Sequence, residues 1–166
     1  MDEKLDWIEK QAAENLKFRL QVREELAKDA NNLLTILLAA IGAIVAFAIE
    51  SSSEEQITPL LMGAIAMTVW LMLVATILVL KCIMTSTLIP PGNEPRNLLL
   101  DGYTLGQIKK FELENVQNSI DQTASRNRNI AYWLDKARLS AVASPLIFIL
   151  ALVFEIYLGN LCALAV

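Results

Sequence analysis

Leu33 to Ile49 reads LLTILLAAIGAIVAFAI, 17 residues in which Thr35 is the only polar side chain. That is about the shortest run able to cross a ~30 Å hydrocarbon layer as a helix. A second run, Pro59 to Leu80, holds 22 residues without a charge and opens on a proline, which a helix tolerates in its first turn. A third starts near Leu139 and continues to Val166, interrupted by Glu155 and Asn160. Segments apolar on every side have no wet face and must lie in lipid or deep inside a large protein. A chain of 166 residues cannot bury three of them. The expected fold is therefore all-α: a polytopic membrane protein with three transmembrane helices and a helical cytoplasmic stalk.

The rest of the composition agrees: 55% of residues are hydrophobic and 19% charged, and the mean hydropathy of +0.45 exceeds that of an ordinary soluble domain. The charges fall between the apolar runs. This divides the chain into an N-terminal cytoplasmic helix (1–32), a transmembrane hairpin (33–80, spans 33–49 and 59–80 with an outer loop 50–58), a cytoplasmic stretch (81–138) and a third span (139–166). The first 30 residues are densely charged and lack an apolar core with a cleavage site, so no secretory signal peptide is expected.

Lysine and arginine collect on the cytoplasmic side of membrane proteins. Six precede the first span and eight lie between the second and third, which accounts for all 14 in the chain. The 50–58 connection has three glutamates and no positive charge. The pattern predicts a multi-pass protein of the inner (plasma) membrane, its N-terminus in the cytoplasm and its C-terminus outside. A net charge of −4 and a pI near 4.9 argue against a nucleic-acid partner, which would need a concentrated basic face. Residues 1–30 carry eight acids against six bases, a solvated surface rather than a polybasic lipid anchor.

Two cytoplasmic helices are predicted. Residues 3–30 lack glycine and proline, and Leu5, Ile8, Ala12, Leu16 and Leu20 recur at three- and four-residue intervals, so a helix should run into the first span with Asn31 and Asn32 at the junction. From Tyr103 to Arg138, Leu113, Val116, Ile120, Thr123, Asn127, Ile130 and Leu134 alternate in the same way, as in a coiled-coil seam. Asn127 in such a seam costs stability and fixes register or oligomer number. Both helices lead towards the membrane and can pack in parallel. A helix of 36 residues is about 54 Å long. The 22 residues from Lys81 to Gly102 must return along it at about 3.3 Å each or less. Either a nearly extended return segment or a break around Ser125 to Asn129 is expected.

That return segment carries Pro90, Pro91, Gly92, Asn93, Glu94, Pro95, Arg96 and Asn97, which exclude helix and favour a stiff extended path. It serves either as a plain connector or as a ligand or partner contact through Asn93, Glu94 and Arg96. It has none of the serial glycines of a phosphate-binding loop.

Catalytic chemistry has little to stand on. Histidine is absent, removing the commonest general base and metal ligand. Cys82 and Cys162 fall at opposite membrane boundaries and cannot pair within one subunit. Serine has no base partner or nucleophile-elbow pattern. No enzyme, cofactor or metal is expected. The first two spans lack ionisable residues, which speaks against proton-coupled transport. If the third span starts at Leu139, Glu155 lies near the outer rim, level with Glu50; if it starts at Pro145, Glu155 lies near mid-membrane. Tyr132 and Trp133 as an inner interfacial belt and Tyr157 as an outer one favour the first placement.

Ala39 with Ala43, and Gly42 with Ala46, form two small-xxx-small pairs that permit close helix approach, within the subunit or between copies. Three helices cannot enclose an aqueous path, so a pore would require a ring of subunits. In such a ring Glu50, Glu54, Glu55 and Glu155 would surround the outer mouth and attract cations; as isolated carboxylates they would be solvated.

The order of a charged N-terminal helix, a tight outer hairpin and a helical cytoplasmic region, over residues 1–138, resembles the small bacterial SLATT-type membrane proteins. That resemblance implies an effector, of the kind that accompanies nucleotide-signalling and phage-defence genes, acting by perturbing the membrane; the third span departs from its two-span plan. Two functions follow. One is a homo-oligomeric, pore-forming or membrane-perturbing effector whose cytoplasmic region senses a protein or small-molecule signal. The other is a non-conducting scaffold or accessory subunit that anchors a cytoplasmic partner.

Overall fold

The structure, a computed structural model, describes residues 2–51, 58–84 and 102–164, and every element among them is helical. Helix α1 spans Asp2–Ser51 and α2 spans Pro59–Leu78, followed by a π-helical turn, Val79–Ile83. Helix α3 spans Leu105–Val142 and α4 spans Ser144–Leu164.

Local chemistry sets these ends. Thr58 caps α2, its hydroxyl accepting from the Leu61 N–H at 3.3 Å, while Pro59 occupies a first-turn position whose N–H would have no partner in any case. Thr104 caps α3: its carbonyl accepts from Gln107 and Ile108, and the Gln107 side-chain oxygen accepts in return from the Thr104 N–H at 2.9 Å. The Thr104 hydroxyl donates to the same oxygen at 3.1 Å, so the glutamine supplies the return half of a capping box while the Thr104 carbonyl, not its side chain, takes the Gln107 N–H. Gly102, at φ +90°, makes the turn just before it.

Between α3 and α4 the ladder breaks at Ala143 and the axis bends by 42°. Pro145 has no N–H, so the Ala141 carbonyl loses the donor a continuous helix would supply. The Ser144 hydroxyl donates to that carbonyl at 2.7 Å. The sequence offers Leu139 and Pro145 as starts of the third span; α3 carries the apolar residues from Leu139 through Val142, and the helix breaks just before Pro145 because nothing earlier removes a backbone donor. Helix α3 also runs unbroken through Ser125 to Asn129, so the expected break there does not occur; the alternative, an extended return, falls on 85–101, outside the described residues. Lys81 to Ile83, expected in the return segment, instead prolong α2 as the π turn.

The chain forms two compact units, one from the described parts of 1–28 and 85–131, the other from those of 29–84 and 132–166. In the first, α1 and α3 pack in parallel through Leu16, Ile120, Thr123, Asn127 and Ile130, all buried, with Leu113 and Val116 half-buried. In the second, Ala30, Leu37 and Ile41 of α1, Leu61, Ala64, Leu71, Val74, Ala75 and Leu78 of α2, Cys82, and Leu134 and Ala137 of α3 form the core. Helix α2 runs antiparallel to its neighbour: Trp70 contacts Ser140 and Gly63 contacts Phe148.

Outside that core the second unit exposes many large apolar side chains. Ile36, Ile49, Leu73, Leu139, Leu150 and Phe154 are more than half exposed. In water each such side chain would forgo roughly 1.5–3 kcal/mol of burial. By length and composition, α1 and α2 with its π turn can each cross a membrane, and the bent α3–α4 pair could supply a third crossing.

Candidate functional site

In the first unit, polar groups sit inside the interhelical seam. Asn127, 6% exposed, donates from Nδ2 to the Arg19 carbonyl of α1 at 2.8 Å; its Oδ1 is buried and has no hydrogen-bond partner among the described residues. Thr123, one turn earlier, returns its hydroxyl to the Ser119 carbonyl at 2.7 Å. At the start of α3, Lys109 bridges Asp6 and Glu9 of α1, the latter at 3.4 Å. The hydrogen bond to Asp6 leads in raising the Lys109 pKa above the usual lysine value. Burial, then the nearby Arg23 guanidinium, holds Arg126 below the usual arginine value. Arg126 lines an open depression with Asp121, Gln122, Ser125 and Asn129, whose charges are mixed and whose walls do not close around a ligand.

In the second unit Asp29, Lys81, Asp135, Lys136 and Arg138 gather with two aromatic rings. Arg138 donates to Asp29 of α1 at 2.7 Å and approaches Asp135 at 3.5 Å. The Lys81 ammonium lies 5.6 Å from the centre of the Trp133 ring, and that of Lys136 lies 5.5 Å from the Tyr132 ring. The two rings meet edge to face at 5.6 Å. The cluster sits where the apolar part of α1 and the apolar end of α3 begin and the apolar run of α2 ends.

Away from the cluster, hydroxyls turn back into their own helices. Thr35 donates to Asn31, Thr68 to Ala64 and Thr76 to Met72, all within 3.0 Å. The Trp70 indole donates to the Ser140 carbonyl at 3.0 Å. An apolar groove of about 230 Å³ is lined by Ala43, Ile44, Phe47, Ala64, Met67 and Phe148.

The residues expected to act are dispersed. Ala39, Gly42, Ala43 and Ala46 are exposed, and a Cβ at Gly42 would meet nothing within 4 Å, so among the described residues this small-residue face is not used for close packing inside the chain. Glu50 lies in the last turn of α1. Glu155 is half-buried on α4, seven residues beyond Phe148. That is roughly 10 Å of helix, while Gly63 lies only about 6 Å from the start of α2, so Glu155 falls past that end. Glu54, Glu55, Asn93, Glu94 and Arg96 lie outside the described residues. No group of three or more metal-ligating side chains occurs among the described residues.

Gly63, Phe148 and the Trp70–Ser140 bond were not signalled as a set. The run Gly63-Ala64-Ile65-Ala66 offered a cue, since small residues in an apolar helix invite close approach. No protein-family model, curated protein or solved structure matches the chain.

Proposed function

We propose that this is a non-enzymatic integral membrane protein with three transmembrane helices, cytoplasmic at its N-terminus, and that it works as a non-conducting scaffold holding a cytoplasmic protein partner on a parallel two-helix stalk. The observation that carries the membrane reading is the apolar surface of the second unit, where Leu139, Val142, Leu146, Leu150 and Phe154 point away from the core. Lipid is the medium in which such a surface costs nothing. The one-sided placement of all 14 basic residues supports the orientation.

Two features favour a scaffold. The hydroxyls of Thr35, Thr68 and Thr76 donate to carbonyls of their own helices and so do not offer their protons to a water file. Trp7 and Phe18, three turns apart on α1, are 64% and 59% exposed amid charged neighbours. Exposed aromatic anchors of this type dominate many protein interfaces.

A second reading, the ring-forming pore or membrane-perturbing effector of the SLATT type, draws on the uncovered face of Ala39, Gly42, Ala43 and Ala46. Induced expression separates the two. A scaffold leaves the membrane potential unchanged and yields a stoichiometric partner that is lost in Trp7→Ala with Phe18→Ala. Depolarisation that vanishes in Gly42→Leu would establish the pore instead. A reporter fused after Val166 that proved cytosolic would overturn the three-span topology.

A further inference from the structure

The cations at the apolar boundary of the second unit are not equivalent. Arg138 is already neutralised by Asp29 and Asp135. Lys81 and Lys136 face aromatic rings rather than carboxylates, and among the described residues neither has an acid within ion-pair distance. An ammonium over a ring face gains attraction to the π cloud but keeps its N–H donors free of strong acceptors. Both lysines are exposed.

Their position follows from three helices at once. Lys81 lies in the π turn that ends the apolar run of α2. Lys136 precedes Leu139, where the next apolar run opens, and Asp29, which meets the neighbouring Arg138, precedes the run that starts at Leu33. Each ammonium lies over one ring of the Tyr132–Trp133 pair, and amphipathic rings of this kind settle at the headgroup level of a bilayer.

We infer that Lys81 and Lys136, each held over one ring of the Tyr132–Trp133 pair, form a binding site for the phosphate headgroup of an anionic phospholipid in the inner leaflet. The site rests on the membrane reading proposed above. The headgroup supplies the acceptor oxygens that the two ammoniums lack among the described residues, and the rings occupy the boundary beneath it. The surrounding acids do not oppose this, because Asp29 and Asp135 are engaged by Arg138.

The test uses the full chain in nanodiscs containing phosphatidylcholine and phosphatidylglycerol in equal parts, with retained lipid identified by native mass spectrometry. The wild type should retain the anionic lipid in excess. Lys81→Gln and Lys136→Gln should each reduce that excess about fivefold. Lys81→Arg, which keeps the charge and the stacking, should preserve it, and Lys10→Gln, far along α1, should leave it unchanged. Equal retention of both lipids, or an excess that survives the double substitution, overturns the site while the membrane reading stands. Failure to enter nanodiscs or vesicles of either composition overturns the membrane reading itself. Inorganic phosphate that stabilises the detergent-solubilised protein as strongly as phosphatidylglycerol would make free phosphate the ligand and overturn the lipid assignment.

Discussion

The indole Nε1–H of Trp70 donates to the backbone carbonyl of Ser140 at 3.0 Å, tying the middle of α2 to the last turn of α3 just before the bend. The turn there is weakened because Pro145 removes a backbone donor, and the protein answers with side chains: Ser144 serves the Ala141 carbonyl, Trp70 the Ser140 carbonyl. Trp70→Phe keeps an aromatic ring at this position but leaves the Ser140 carbonyl without its indole donor. It should cost about 1 kcal/mol. The check is thermal unfolding in detergent, where Trp70→Phe should melt below the wild type and a variant melting at the wild-type temperature would deny the bond any net role.

Gly63 fixes the approach of α4 to α2. A Cβ there would lie 2.9 Å from the Phe148 ring, so Gly63→Ala forces the ring to move. The apolar groove bounded by Phe148 and Ala64 gives it somewhere to go, which keeps the expected cost of Gly63→Ala at about 1 kcal/mol. Gly63→Leu should exceed 3 kcal/mol, roughly the upper end of overpacking. Phe148→Leu alone should destabilise, yet restore stability in the Gly63→Ala background. Additive effects in that double-mutant cycle would show that the two residues do not share the space.

The all-helical class was legible because long runs without glycine or proline, and apolar spacings of three and four, are local properties of the chain. The same spacing marks Ile120, Thr123, Asn127, Ile130 and Leu134, which the structure buries. The end of α3 was not legible to the residue, since apolar character begins at Leu139 while the backbone break is set by Pro145. Nor could spacing reveal that Lys81 lies over Trp133, some fifty residues away in the chain, because cation and ring meet only when α2 and α3 pack antiparallel. Small residues permit close approach, but their spacing does not say which will be used: Gly63 meets a ring, while Gly42 meets nothing among the described residues.

Lys109 gives the first unit a defined response to pH and salt. Its pKa is raised, chiefly by the hydrogen bond to Asp6, so the folded chain holds the proton more tightly than the unfolded one. The contribution is therefore complete below the ordinary lysine pKa and is lost as pH rises through the folded value. Since the pair is exposed, it should also fade at high ionic strength. Melting followed from pH 8 to pH 12 should fall less steeply for Lys109→Gln than for the wild type, and parallel curves would remove Lys109 from the alkaline response.

Asn127 is the residue whose replacement should separate stability from specificity. It spends one amide donor on the Arg19 carbonyl and leaves a buried Oδ1 without a partner among the described residues. Leucine at this seam position would remove both polar groups and fill similar space with carbon, so Asn127→Leu should raise stability by about 1–2 kcal/mol. The cost falls on alignment. Lys109 with Asp6 and Asn127 with Arg19 join residues 103 and 108 apart in sequence, and an apolar seam alone would accept neighbouring registers. Disulfide trapping between cysteines placed at Leu16 and Ile120, in a background lacking Cys82 and Cys162, should give one dominant product with Asn127 present. In Asn127→Leu, pairs shifted by one helical turn should also cross-link. A leucine variant that is less stable, or one that stays in a single register, would show that the asparagine does not trade stability for alignment.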